Sequence, residues 1–73
     1  MGILGRYEEA LVSYDRVVEL DPRYALAWLV RGNALGILGR YEEALPCFEE
    51  AQRLGSIQAA KFIARCRKQL GQA

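Results

Sequence analysis

Gly2-Ile3-Leu4-Gly5-Arg6-Tyr7-Glu8-Glu9-Ala10-Leu11 is repeated without a single change at residues 36–45, an offset of 34 residues in a chain of 73. Repetition at a fixed period of this length is typical of helical repeat proteins. One unit holds about two helices with their turns, and such a pair cannot bury its own apolar side without stacking on a neighbouring copy. The sequence therefore predicts an all-α domain of four helices, built as antiparallel helix-turn-helix repeats stacked into a short solenoid.

The composition is that of a folded domain, with 52% hydrophobic and 26% charged residues. A chain of this size buries only about 60% of its unfolded surface, so its stability depends on neighbouring surfaces. The net charge of +1 does not identify a partner, but the charges are unevenly distributed. Residues 1–52 carry five arginines and nine acids, whereas residues 53–73 carry five cations and no acid. The C-terminal helix is therefore predicted to be basic.

Several classes of function receive no support from the sequence. The chain has no histidine, and Cys47 and Cys66 lie far apart, so we expect no metal site, no cofactor and two reduced structural thiols. Ser13 and Ser56 have no candidate base, and neighbouring acids on a helix point about 100° apart, so we expect no enzyme activity. No apolar run is long enough to cross a membrane. We expect a cytoplasmic protein.

Apolar periodicity predicts four helices, at about residues 7–20, 23–38, 41–54 and 57–70. Asp21-Pro22 is expected to end the first helix, and Pro46 is expected to lie inside the third without breaking it. Residues 2–5 and 36–39 of the repeated decapeptide are expected to be helix-ending loops. Gly55-Ser56 is expected to form a turn, with Ser56 capping the fourth helix.

The spacing of small and aromatic residues identifies a family. Trp28, Gly32, Ala44 and Phe48 follow one another at the spacing attached to a 34-residue helix-turn-helix unit. The earlier copy supplies matching residues at the same spacing, namely Gly5, Tyr7, Ala10, Tyr14 and Pro22. The chain resembles the tetratricopeptide repeat family, which implies a right-handed solenoid and a protein-binding role. Three positions depart from the pattern: Arg31 replaces a leucine, Leu35 a tyrosine, and Ser56 the closing proline.

The resemblance also sets the phase of the repeats in a single domain, residues 1–73. By this register, residues 1–20 hold the second helix of a partial unit, residues 23–54 a complete unit, and residues 57–70 the first helix of a degenerate or capping unit. Both terminal helices would then have open apolar faces. The predicted self-association faces are formed by Tyr7, Leu11 and Tyr14 on the first helix and by Phe62, Cys66 and Leu70 on the fourth.

In the tetratricopeptide repeat family, the first helix of each unit lines a concave groove that holds peptides of partner proteins. The resemblance implies a groove lined by Leu26, Leu29, Val30, Asn33, Ile37, Ile63 and Arg67, together with Ala60 and Ala64. The alternative is that another helix covers the apolar members of this set. Lys61 and Arg65 have the spacing of a carboxylate clamp but fall one residue off the groove face.

These patterns give one leading hypothesis and two rivals. The leading hypothesis is a non-enzymatic scaffold that self-associates, the basic fourth helix of one chain packing on the acidic first helix of another to give a homodimer, a ring or a fibre. The second is a peptide-binding adaptor that uses the concave groove. The third, nucleic-acid binding by the basic C-terminal helix, has little support because no aromatic residue interleaves its cations for base stacking.

Overall fold

A computed structural model of the chain describes residues 3–71 and contains four helices in that range. They are α1 (Ile3–Leu20), α2 (Ala25–Ile37), α3 (Tyr41–Arg53) and α4 (Ala59–Gln69). Each helix packs against the next one along the chain, and the short connections make neighbouring helices antiparallel. The predicted all-α helical repeat is confirmed.

The two identical decapeptides have different backbone conformations. In the first copy, every described residue from Ile3 onward lies inside α1, and Gly5 has a helical backbone. In the second copy, α2 ends at Ile37, Gly39 has a φ of 79°, and α3 begins at Tyr41. The prediction of a helix-ending loop is therefore wrong for residues 3–5, while Gly2 lies outside the described residues.

Tertiary contact explains why the two copies differ. The second copy must turn because α3 packs back along α2. Its turn closes with the Arg40 amide donating to the Leu35 carbonyl at 2.8 Å and the Gly39 amide donating to the Gly36 carbonyl at 3.0 Å. This is the Schellman pattern, in which glycine supplies the left-handed residue. In the first copy, residues 3–5 continue the helix of α1 instead.

The features predicted for α3 and for the start of α4 are confirmed only in part. Pro46 lies inside α3 without interrupting it, as predicted. Gly55 has a φ of 108° and ends α3 with the same Schellman pattern, in which the Ser56 amide donates to the Ala51 carbonyl at 2.9 Å. The prediction that Ser56 caps α4 is wrong, because Gln58 holds the cap position and no side chain bonds to the free amides there.

The core lies where α2, α3 and α4 meet, with Leu11 added from α1. Its central contact is between Phe48, which is 2% exposed, and Gly32. A Cβ atom built on Gly32 would lie 2.7 Å from Cε1 of Phe48, so the ring occupies the space that a side chain would need. The glycine lets α2 and α3 approach closely enough to enclose the rest of the core.

α4 presents a different face to its neighbour than α2 does. On α2, Ala27 and Ala34 are buried on the side of the helix that also carries Arg31, and Arg31 pairs with Asp15 of α1. The residues 34 positions later on α4 are Lys61, Arg65 and Lys68, all of which are exposed. α4 instead buries a face formed by Ala59, Ile63 and Cys66, with Phe62 packed beside them.

Substitution of the two equivalent glycines in the decapeptide should have opposite effects. Gly39→Ala should lower the free energy of unfolding by about 1–2 kcal/mol, because alanine is strained at a positive φ. Gly5→Ala should raise it by up to about 1 kcal/mol, because alanine favours the helix more than glycine does. Urea unfolding followed by circular dichroism measures both. Equal effects of the two substitutions would contradict the two conformations.

A second pair of glycines tests the contact between α2 and α3. Gly32→Ala should destabilise the fold by about 1–3 kcal/mol, because the new methyl group would overlap the buried Phe48 ring. Gly36→Ala serves as the control, since its Cβ would lie 3.9 Å from Tyr41 and should add up to about 1 kcal/mol of helix stability. Thermal unfolding of both variants gives the comparison, and a stable Gly32→Ala variant would refute the role given to this contact.

Candidate functional site

One face of α2 is both apolar and accessible. Leu26, Val30, Asn33 and Ile37 are spaced by four, three and four residues, which places them in one row along the helix. Leu26 and Ile37 are 54% and 51% exposed, and the two residues between them are half-buried. We call this row the α2 stripe. The structure thus brings together four of the seven predicted groove residues.

A pocket of about 270 Å³ adjoins the C-terminal end of the α2 stripe. Three helices form its wall, with the residues Asn33, Gly36, Ile37, Tyr41, Phe48, Phe62, Arg65 and Cys66. Asn33 and Ile37 belong to both the stripe and the pocket, so the two features form one continuous surface. Its walls are mainly apolar, and its amide and its guanidinium can bind polar groups.

Arg65 supplies the charge of this pocket. Its guanidinium lies 5.7 Å from the centre of the Phe62 ring, and Lys61 lies 5.9 Å from the same centre. The ring of Phe62 stacks on that of Phe48 at a centroid distance of 5.2 Å. Within the described part of the chain, Arg65 takes part in no ion pair. It can therefore meet an incoming carboxylate while stacked on an aromatic ring.

The other three predicted groove residues do not line the α2 stripe. Leu29 and Ile63 are only 6% and 7% exposed and belong to the core, so the prediction that they contact a peptide is wrong. Both point inward because α2 and α4 each pack against α3, and the two side chains join the same core cluster. Arg67 lies 3.9 Å from Glu49 of α3 in an exposed ion pair, whereas Arg65 reaches the pocket.

The predicted self-association faces are also only partly open. Tyr7 and Tyr14 are half-buried on α1, but Leu11 is 8% exposed and lies in the core. On α4, Cys66 is 3% exposed and Phe62 packs on the core, while Leu70 is half-buried. The expectation of an open apolar face on α4 is wrong, because α4 turns that face inward.

The sequence contains a signal for the position of α4 that the prediction did not use. Lys61 and Lys68 stand 34 residues after Ala27 and Ala34, which are buried. If α4 turned toward α3 the same face that α2 turns toward α1, both ammonium groups would be buried. Unpaired buried charges are costly. α4 therefore turns its cations outward and its apolar face inward, which places Arg65 beside the pocket.

Arg31 connects three helices. Its guanidinium donates to Asp15 on α1 and to the thiol sulfur of Cys47 on α3, and the Cys47 thiol donates to the Glu43 carbonyl at 3.5 Å. Burial raises the pKa of the Cys47 thiol, and the Arg31 cation partly offsets this rise. Burial also raises the pKa of Cys66, with a smaller opposing effect from Arg65. Both thiols are free and are held in the neutral form.

Two further properties of the described residues bear on function. None of the helices in the range 3–71 has the length and hydropathy that crossing a membrane requires. The same range contains no cluster of three or more acidic or cysteine side chains able to hold a metal ion.

Comparison with known proteins gives one result. The family model described as tetratricopeptide repeat matches residues 4–60, which is more than half of the chain. No curated protein and no solved structure matches the chain.

The environment of the cysteines predicts slow reaction with thiol reagents. In the folded chain at about pH 8, Cys47 and Cys66 should react at least about tenfold more slowly with iodoacetamide than in urea, because attack requires an accessible thiolate. Ser13→Cys provides the control, since Ser13 stands 34 residues before Cys47 and is exposed. Peptide mapping by mass spectrometry resolves the three sites. Equally rapid labelling at all three would contradict the burial of the native thiols.

Proposed function

The chain belongs to the tetratricopeptide repeat family, and from that premise we propose that it is a binding module that holds a segment of another protein on the α2 stripe and its pocket. Domains of this family generally mediate protein–protein interaction and are typically non-enzymatic scaffolds. The continuity of the stripe with the pocket carries the proposal. Exposed apolar side chains beside a pocket with a few polar groups are the usual composition of a recognition site.

The chemistry of the surface defines the kind of segment that it fits. An apolar side chain fits the pocket between Tyr41, Phe48 and Phe62. An adjacent carboxylate pairs with Arg65, and the Asn33 amide can bond to the peptide backbone. The expected ligand is therefore a short segment in which an acidic residue stands next to a large apolar residue. The remaining apolar contacts are with Leu26 and Val30.

Self-association through α4 and α1, the leading expectation from the sequence, has less support than the groove. Its basis was that α4 has an open apolar face, but that face packs on α3 in the same chain. Cys66 is also the repeat equivalent of Gly32. At Gly32 on α2, an added Cβ atom would lie only 2.7 Å from the ring of Phe48. Self-association would require Tyr14 of another chain, the equivalent of Phe48, to pack on Cys66 as Phe48 packs on Gly32. The cysteine side chain prevents an equally close approach.

Two further expectations from the sequence concern the cellular compartment and nucleic-acid binding. We place the protein in the cytoplasm, where cysteines remain reduced, and the two free thiols agree with that compartment. Nucleic-acid binding by α4 has little support. Although its outer face is cationic, Phe62 packs on the core and stacks on Phe48, so its ring is not free for base stacking.

Peptide titration tests the proposal. A panel of labelled peptides of about twelve residues, with and without an aspartate beside a leucine, is added to the chain while amide shifts are recorded by NMR. Shifts should concentrate at Asn33, Ile37 and Arg65. Ile37→Ser should weaken binding by about tenfold, the equivalent of 1.4 kcal/mol, because it removes exposed apolar area from the stripe.

Two variants make the result specific. Val12→Ser removes an apolar residue that is 70% exposed on α1, away from the groove, and should leave binding unchanged. Arg65→Gln should weaken only the peptides that contain aspartate. If no peptide of the panel shifts α2 or α4, or if Val12→Ser weakens binding as much as Ile37→Ser, the groove proposal is wrong.

A further inference from the structure

Gly36 is a wall residue of the pocket whose backbone conformation does not require a glycine. It lies inside α2, and the described glycines with a positive φ are Gly39, Gly55 and Gly71. An alanine can therefore adopt the backbone of Gly36. Glycine is also a poor helix former, because it loses more conformational freedom on folding than alanine does. The helix itself would be more stable with a side chain at this position.

Packing gives no reason for the glycine either. A Cβ atom built on Gly36 would lie 3.9 Å from Cε1 of Tyr41, which is an ordinary van der Waals distance. At Gly32, about one turn earlier on α2, the same atom would lie 2.7 Å from the Phe48 ring. The Phe48 ring therefore occupies the space beside Gly32, whereas the space beside Gly36 is part of the pocket.

A side chain at Gly36 would take up room in the pocket. Its Cβ atom would lie on the side of Tyr41, which forms another part of the same wall. The residue 34 positions later is Leu70, a half-buried residue at the end of α4. This position of the repeat therefore accepts a large apolar side chain. The effect of the glycine is to keep open a space that such a side chain would fill.

The size and the walls of this space suit an aromatic ring. Phe48 and Phe62 are stacked with their centroids 5.2 Å apart, and Tyr41 lines the same pocket. The pocket volume of about 270 Å³ exceeds that of the engineered cavity of roughly 150 Å³ that binds benzene. A further ring can pair with the wall rings in an offset or edge-to-face geometry, which stabilises aromatic pairs beyond their apolar area. A leucine side chain gains no such pairing.

We propose that the pocket holds an aromatic side chain of the bound segment and that Gly36 determines this specificity. The inference rests on the function proposed above and narrows the large apolar residue of the ligand to an aromatic one. The occupant is part of a protein segment, because the pocket is continuous with the α2 stripe. Arg65 lies 5.7 Å from the centre of the Phe62 ring, so the ring and the neighbouring carboxylate of the ligand are bound side by side.

Four peptides that differ at a single position test the occupant. Each has about twelve residues and carries an aspartate followed by phenylalanine, cyclohexylalanine, leucine or alanine. Cyclohexylalanine has nearly the size of phenylalanine but no aromatic electrons. Dissociation constants are measured by NMR titration of the full chain. The phenylalanine peptide should bind about threefold to tenfold more tightly than the cyclohexylalanine and leucine peptides, and the alanine peptide should bind most weakly.

Filling the pocket from α2 tests the role of Gly36. Gly36→Leu should weaken binding of the phenylalanine peptide by about tenfold or more and remove its advantage over the alanine peptide. Gly5→Leu is the matched control, because Gly5 is also helical and its Cβ atom would meet nothing within 4 Å. This control should leave all four affinities unchanged.

Gly36→Ala separates a binding role from a structural one. It should raise the melting temperature, because alanine favours the helix, and yet weaken binding of the phenylalanine peptide by about twofold, because its methyl group reduces the pocket. A purely structural glycine would not move stability and affinity in opposite directions. Thermal unfolding shows whether Gly36→Leu remains folded, and Gly36→Ala decides the question if it does not.

Two results would overturn this inference while the peptides still shift the amides of Leu26 and Val30 on the α2 stripe, which leaves the proposed function in place. One is a phenylalanine peptide that binds no more tightly than its cyclohexylalanine or leucine counterpart. The other is a preference for phenylalanine that is undiminished in Gly36→Leu and Gly36→Ala. If none of the four peptides shifts the α2 stripe, both the inference and the proposed function are wrong.

Discussion

The contact of Phe48 with Gly32 is the constraint on which the rest of the structure depends. Because Gly32 has no side chain, the ring seats directly on the backbone of α2, and α3 can lie close enough to enclose the core. The same ring stacks on Phe62 of α4. Phe48 therefore contacts both α2 and α4, so the packing of α2 on α3 and the position of α4 depend on the same ring. Phe48 and Phe62 both line the pocket.

The orientation of α4 determines which apolar surfaces of the repeat remain accessible. A repeat helix that continues an array keeps an apolar side for its successor, but α4 turns its apolar face onto α3 and its cations into solvent. This arrangement avoids burying Lys61 and Lys68. It also closes the face that was expected to recruit another chain, and it moves Arg65 to the rim of the pocket. Among the described helices, the large apolar side chains that remain exposed lie on α1 and α2.

The two copies of the decapeptide separate local preference from tertiary constraint. Ten identical residues form a continuous helix in α1 but a helix end, a turn and a new helix between α2 and α3. Sequence alone cannot distinguish these outcomes, since the local energies are the same. The second copy turns because α3 gains the Phe48 contact with Gly32, which offsets the cost of interrupting the helix. The first copy has no such contact within the described residues.

By itself, the sequence determined the family, the number of helices and their approximate bounds, because a 34-residue period and the spacing of small and aromatic residues depend only on residue type. It also placed Leu26, Val30, Asn33 and Ile37 on one face, since helical periodicity fixes which residues share a side. Only the tertiary structure decided which apolar residues stay accessible. Burial depends on how a neighbouring helix is rotated about its axis, and that rotation is set by the charges and packing of the whole chain.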